Sequence, residues 1–445
     1  MGCGSLVEIP SYFQHLDKLT HLDLGGCRSL KYLPEMPGNI QYLNLECSGI
    51  KELPESVWSN ENISYLNLRE CKDLKKLPSS RCKLKNLDLT NCSSFSKFPE
   101  ILKPMEHFKS LSLIQTAVKE LPSSICELKN LESLDLTRCS RFSKFPEILK
   151  PMEHLKSLSL IQTAVKELPS SICELKNLES LDLTKCSRFS KFPEILKPME
   201  HLKSLSLIQT TVTELPASIC ELKNLESLDL TNCSSFSKFP EILKPMEHLK
   251  SLSLIQTAVK ELPSSICELK YLESLDLTKC SRFSKFPEIL KPMEHLKSLS
   301  LIDTAVTELP SSICKLKYLE SLDLTRCSRF SKFPEILKPM EHLVYLSLCK
   351  TAVEMLPSSI GNLNRLQDLN LSDCYQLKDV PTSICSLTNL KRLSFNHCWR
   401  LKKLPSSSVG FLSLEQLELS FSGILEIPAS IKQAFWQGKV KISMV

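Results

Sequence analysis

At 445 residues the chain has room for two or three ordinary domains, but its composition does not shift along its length and no linker interrupts it. The 56 basic and 50 acidic side chains leave a net charge of +6, spread out instead of gathered in a block, which argues against nucleic acid as a partner. No apolar run is long enough to span a bilayer, no secretory leader opens the chain, and ten glycines leave little from which to build phosphate-cradling loops.

The first element, residues 1–18, is a partial repeat: Cys3, Leu6 and Pro10 fall where Cys27, Leu30 and Pro34 fall one repeat later. A solenoid ordinarily ends in a polar cap, so a chain that opens in mid-repeat reads as part of a longer protein or as a shortened product. Residues 19–437 form one array. The stretch LESLDLTRCSRFSKFPEILKPMEHL at Leu131 returns almost unchanged at Leu178, Leu225, Leu272 and Leu319, a spacing of 47 residues. Within it LESLDL is echoed by LKSLSL at Leu155, so the true period is 23 or 24. From Leu19 to Leu414 this makes about eighteen repeats, and residues 438–445 are left as a short C-terminal tail.

Each repeat reads L-x-x-L-x-L-x-x-[C/T]-x-x-[L/F/V]-x-x-[L/F]-P, the leucine-rich repeat pattern of a short strand and a looping return. Leu134 and Leu136 alternate with Ser133, Asp135 and Thr137, a period of two that sends leucines inward and leaves one wet face. Phe142, Phe145 and Pro146 carry the chain back across the core. In the other half, LPSSICEL sets Ser171 three residues before Glu174, a capping box that predicts a short outer helix with Ile172 and Leu175 in the core. Pro151 keeps any helix in EILKPMEH to about one turn. No repeat can bury its leucines alone, and stacking supplies the missing walls. The expected fold is α/β: a leucine-rich repeat solenoid, a right-handed horseshoe with a parallel sheet on the concave face and short helices or irregular turns on the convex face.

Three columns of chemistry-bearing residues recur. Ten of the twenty cysteines hold the ninth repeat position: Cys27, Cys71, Cys92, Cys139, Cys186, Cys233, Cys280, Cys327, Cys374 and Cys398. Threonine mostly takes that place in the repeats between, so successive cysteines stand about two strand spacings, ~9.6 Å, apart, beyond disulfide reach. Only Cys71 with Cys92, and Cys374 with Cys398, sit in adjacent repeats. Small buried thiols in a reducing compartment are expected. Histidines recur at His107, His154, His201, His248, His295 and His342, two repeats apart and too far from one another to share a metal ion. Asp88, Asp135, Asp182, Asp229, Asp276 and Asp323 line the inner face. A repeating surface for an elongated partner is one reading of this column; the favoured one is copying without selection for binding, since units starting at Leu131 and Leu178 differ at only four of 47 places.

Near the C-terminus the repeats become individual. By register the inner face there presents Tyr345, Lys350, Asp368, Asn370, Asp373, Arg392, Asn396, His397, Glu418 and Phe421. Mixed aromatic and charged character suits a specific protein contact, and these ten are the candidate binding residues. No nucleophile elbow, H-E-x-x-H or paired C-x-x-C occurs, so neither an enzyme nor a cofactor or metal site is expected.

LDLTRCSRFSKFPEI and TAVKELPSSICEL, in an alternation of LxLxxCxxLxxLP with LxLxxTxxxELPSSI, resemble the leucine-rich repeat region of plant intracellular immune receptors. These receptors join a Toll/interleukin-1-receptor-like domain, a nucleotide-binding switch and terminal repeats. The resemblance covers nearly the whole chain; the first two domains are missing from it, and with them NAD cleavage and nucleotide binding. It implies a protein-binding recognition or regulatory module of innate immunity. Its implied partners are a pathogen effector, a guarded host protein or the receptor's own nucleotide-binding domain, in the cytoplasm and also the nucleus, with no membrane contact. The alternative is a truncated, non-catalytic scaffold or decoy whose uniform middle makes multivalent protein contacts.

Overall fold

The computed structural model describes residues 3–79, 83–102, 105–406 and 411–443. The chain divides into two compact units, Met1–Val212 with Glu221–Leu225, and Thr213–Cys220 with Glu226–Val445. Both are leucine-rich repeat solenoids. In the first, the strands His21–Asp23, Tyr42–Asn44 and Tyr65–Asn67 make a three-stranded parallel sheet, and a parallel run follows from Asn86–Asp88 to Ser204–Ser206. In the second, a parallel run extends from Ser227–Asp229 to Lys441–Ser443. That last strand lies in the segment set apart as a tail. Lys441, Ile442 and Ser443 pair with Gln416, Leu417 and Glu418, and Val440 is buried, a pattern too short to read as a repeat.

Each strand is only three residues long because its ends are built to turn. In Ser133–Asp135 the central Leu134 is buried between half-exposed neighbours, as the alternation predicts. Asp135 then accepts the Thr137 N–H on Oδ1 at 2.8 Å, and Arg138 takes a left-handed backbone, φ 61°. Its own N–H still donates to the Ile161 carbonyl of the next repeat at 2.7 Å, so the ladder continues past the strand. Asp88, Asp182, Asp229, Asp276 and Asp323 accept from the residue two places on in the same way. The aspartate column therefore has a structural reason: it closes each strand.

Behind the sheet the core repeats as regularly. Leu136, Cys139, Phe142, Phe145, Ile148, Ile172 and Leu175 are all buried, and Phe142 meets Phe145 edge to face at 6.4 Å. The described cysteines are free thiols. Cys139 donates to the Leu113 carbonyl at 2.9 Å, and the Thr116 hydroxyl, from the preceding repeat, lies 3.3 Å from its sulfur. Cysteine and threonine thus alternate because they share one buried hydrogen bond between repeats, repeated at Thr163 with Cys186 and at Thr257 with Cys280.

The outer side corrects one expectation. The LPSSICEL segment is a 3-10 helix, Ser170–Glu174, that starts at Pro169 with no side-chain cap. Ser171 instead donates to Glu147 at 2.6 Å and accepts the Ile148 N–H at 2.9 Å, both in the preceding repeat. A cap would satisfy an orphan N–H within the helix; here the same hydroxyl ties neighbouring repeats together. EILKPMEH forms no helix, only a turn at Glu153–His154 in which the Leu155 N–H donates to the Met152 carbonyl at 3.2 Å, within the one turn expected there. Its Ile148 is buried while Leu149 is 70% exposed, so the hydrophobic pair there splits between core and surface.

Candidate functional site

The C-terminal repeats of the second unit carry the ten candidate residues, and the parallel register sorts them into rows. Tyr345, Asp368 and Arg392 stand side by side on successive strands, followed by Gln416. Arg392 Nε donates to Asp368 Oδ2 at 2.7 Å, which raises the arginine above its ordinary pKa. Tyr345 is half-buried, and desolvation pushes its hydroxyl up. In the next row Asn370 and Glu418 flank Ser394. Glu418 is saturated by neutral donors: Ser394 and Asn396 at 2.8 Å on one oxygen and Gln416 at 2.7 Å on the other. Asn370 does the strand-closing work of the aspartates, accepting the Ser372 N–H at 2.9 Å.

Four candidates, Lys350, Asp373, His397 and Phe421, occupy the left-handed position that follows each strand, with φ between 53° and 61°. This backbone tips the side chain out of the pleat. Lys350 reaches Asp373 at 4.0 Å. The rings of His397 and Phe421 stack 4.9 Å apart and 9° from parallel, with Phe421 63% exposed.

Sequence register missed Tyr375 and Trp399. They lie directly after Cys374 and Cys398, where the uniform units have serine, and so outside the strand pattern. Their rings stack at 4.9 Å, both exposed, and the Tyr375 hydroxyl donates to Asp373 Oδ1 at 2.9 Å. That bond holds the phenol protonated and lifts its pKa. The signal was available as two aromatic residues at one repeat position in adjacent repeats. Two stacked pairs on fixed backbone make anchors that lose little side-chain entropy on binding.

Gly423 fixes this arrangement from below. A Cβ there would stand 2.1 Å from the Trp399 carbonyl oxygen, while the Gly423 N–H donates to Cys398 at 3.0 Å. Gly49, at the same repeat position, meets the Arg28 oxygen equally closely. Gly423→Ala is expected to cost about 1–3 kcal/mol and to loosen both ring pairs. A urea midpoint and tryptophan fluorescence indistinguishable from the parent's would refute this.

The other columns bring no chemistry together. His201 Nδ1 lies 3.2 Å from the Lys176 carbonyl, and His295 stacks on Tyr271 at 4.9 Å. Among the described residues no group of three His, Cys, Asp or Glu is placed to hold a metal ion, and no helix is long and apolar enough to cross a membrane. The repeats present surfaces, and a leucine-rich repeat solenoid is a protein-interaction scaffold.

Known proteins agree with this architecture. Residues 335–426 match a family model described as a leucine-rich repeat region, and residues 127–179 match one described as disease resistance protein RPS4B-like, leucine-rich repeats. The chain is similar to TMV resistance protein N of Nicotiana glutinosa, 28% identical over 136 residues, which is 29% of this chain and 12% of that protein. It is similar also to disease resistance protein RPS4B of Arabidopsis thaliana, 30% identical over 124 residues, 27% of this chain and 10% of the relative. The matches thus span about a tenth of those proteins. Among solved structures, the Leptospira interrogans leucine-rich repeat protein LIC12759 aligns over 99% of both chains with a TM-score of 0.62 and 25% identity. Repeat pattern and fold together make this chain a leucine-rich repeat region, and over about 30% of its length it is similar to the repeats of plant disease-resistance proteins.

Proposed function

We propose that the chain is a recognition module of plant innate immunity that binds a protein, a pathogen effector or a host protein under guard, through the individual C-terminal repeats. The cytoplasm is the compartment of this reading. The observation that carries it is the pairing of exposed stacked rings, Tyr375 with Trp399 and His397 with Phe421, beside the Arg392–Asp368 ion pair and a Glu418 carboxylate hydrogen-bonded within the face. A surface whose charges are already hydrogen-bonded loses less when a partner covers it than one that leaves them unpaired. Exposed rigid aromatics supply the energy, and each such anchor is typically worth about 2 kcal/mol or more on truncation.

The test uses the full chain as bait against candidate effectors and host proteins. Trp399→Ala with Phe421→Ala is expected to weaken a bound partner at least about tenfold, whereas Gln162→Ala in the uniform middle leaves it unchanged. Loss with Gln162→Ala alone, or no partner that depends on these rings, sinks the reading. The nearly identical units at Leu131 and Leu178 favour the second reading, a multivalent scaffold or decoy. For a scaffold, removing one 47-residue unit weakens binding in proportion to the copies lost.

A further inference from the structure

The first three repeats carry a surface that the C-terminal reading does not use. Their strands pair in parallel with His21, Tyr42 and Tyr65 in one row. Strands stand about 4.8 Å apart, close to the spacing of stacked rings. Tyr42 and Tyr65 accordingly lie 4.5 Å apart and 4° from parallel, and His21 and Tyr42 lie 5.8 Å and 18° apart. The row stops at Tyr65, because the following strand begins with Asn86, and Tyr65 is 44% exposed.

Asp23 ends its strand, and Glu46 and Glu70 stand in the turns after the next two; these three carboxylates meet only neutral donors. Asp23 accepts from the Gly25 N–H and the Asn44 amide, Glu46 from the Asn67 amide, and Glu70 from the Cys47 thiol. Neighbouring acids of this unit are held by cations: Asp73 by Lys31, Asp88 by Arg69 and Glu52 by Lys76. Among the described residues no such pair forms at Asp23, Glu46 or Glu70. Desolvation first, then Tyr65 and the nearby Asp23 and Glu46, push the Tyr42 hydroxyl up.

We propose that this face binds an arginine-bearing basic segment of a partner protein. One guanidinium lies on the open face of the Tyr65 ring, and others meet the three carboxylates. Arginine fits better than lysine because its flat, weakly hydrated head both stacks on an aromatic ring and forks onto a carboxylate. Asp23, Glu46 and Glu70 stand on three successive repeats, about 4.8 Å apart from strand to strand, so meeting them together with the Tyr65 ring takes at least two basic groups.

Fluorescence anisotropy on the full chain in about 50 mM salt tests this with labelled nine-residue peptides rich in arginine, lysine or glutamate. The arginine peptide is expected to bind several-fold more tightly than the lysine peptide, and the glutamate peptide not at all. Tyr65→Leu, and separately the triple variant Asp23→Asn, Glu46→Gln, Glu70→Gln, each weaken the arginine peptide about five- to tenfold. Tyr65→Phe keeps the ring and the affinity, and Glu52→Gln has no effect. Equal binding of arginine and lysine peptides with no loss in Tyr65→Leu means general charge attraction and overturns the proposal, as does no binding of the arginine peptide. Trp399→Ala leaves this readout untouched, so its failure and that of the C-terminal reading are separable.

Discussion

Raising the pH from about 9 to 11 is expected to unfold the chain, because burial keeps its thiols neutral. The Cys71 and Cys374 thiols are each pushed from an ordinary 9.0 to about 11 by desolvation, which outweighs the hydrogen bonds from Ser48 and Thr351 that favour the thiolate. Cys92 and Cys398 are pushed higher still, and Cys139, Cys186, Cys280 and Cys327 also rise, burial again being the first cause. A raised folded pKa means the folded state holds the proton longer than the unfolded chain. The stabilisation is complete below the unfolded value near 9 and is lost as pH rises through the folded value. A shift of two units corresponds to roughly 3 kcal/mol for each of Cys71 and Cys374. Urea midpoints at about pH 7.5 and 10.5 measure the loss. Cys71→Ala with Cys374→Ala lowers stability at the first pH and flattens the dependence between the two; an unchanged slope would show that these thiols do not drive it.

The same thiols show how far the sequence could be read. Their burial follows from alternation with threonine at the ninth position, a pattern visible in one dimension because the array has a single repeating geometry. Strand positions were legible for the same reason: Leu134 and Leu136 can only face inward if Ser133 and Asp135 face out, and the structure has them so. What failed depended on contacts between repeats. Ser171 and Glu174 match a capping box in spacing, yet the hydroxyl serves Glu147 and Ile148 of the preceding repeat. Nothing local announces that competition.

The candidate face was legible in its strand rows and illegible beside them. Tyr345, Asp368 and Arg392 fall side by side because parallel register carries sequence position directly into space. Tyr375 and Trp399 sit beyond the strand, where a period of two no longer applies, and stack only because equivalent loop positions repeat at the strand spacing. The His21, Tyr42 and Tyr65 row was open to the register argument.

Phe142→Ala is expected to lower stability by about 3–5 kcal/mol, the range for truncating a fully buried phenylalanine. The ring is 0% exposed and packs edge to face on Phe145 at 6.4 Å, while the Phe142 carbonyl accepts the Ala164 N–H of the next repeat at 2.9 Å. Removing the side chain therefore opens a cavity where a repeat stacks on its neighbour. In a solenoid, stability is a sum of repeat and nearest-neighbour terms, so the damage should be local. Hydrogen exchange should speed up at Leu134 and Leu158 on either side of the cavity and remain slow at Leu43. Phe189 has the same surroundings, buried and edge to face with Phe192 at 6.4 Å, and Phe189→Ala should cost the same within about 0.5 kcal/mol. If the two variants differ by more than that, or exchange accelerates equally at Leu43, the repeats do not act as independent neighbours. Uniform copies would then be coupled over a longer range than their contacts imply.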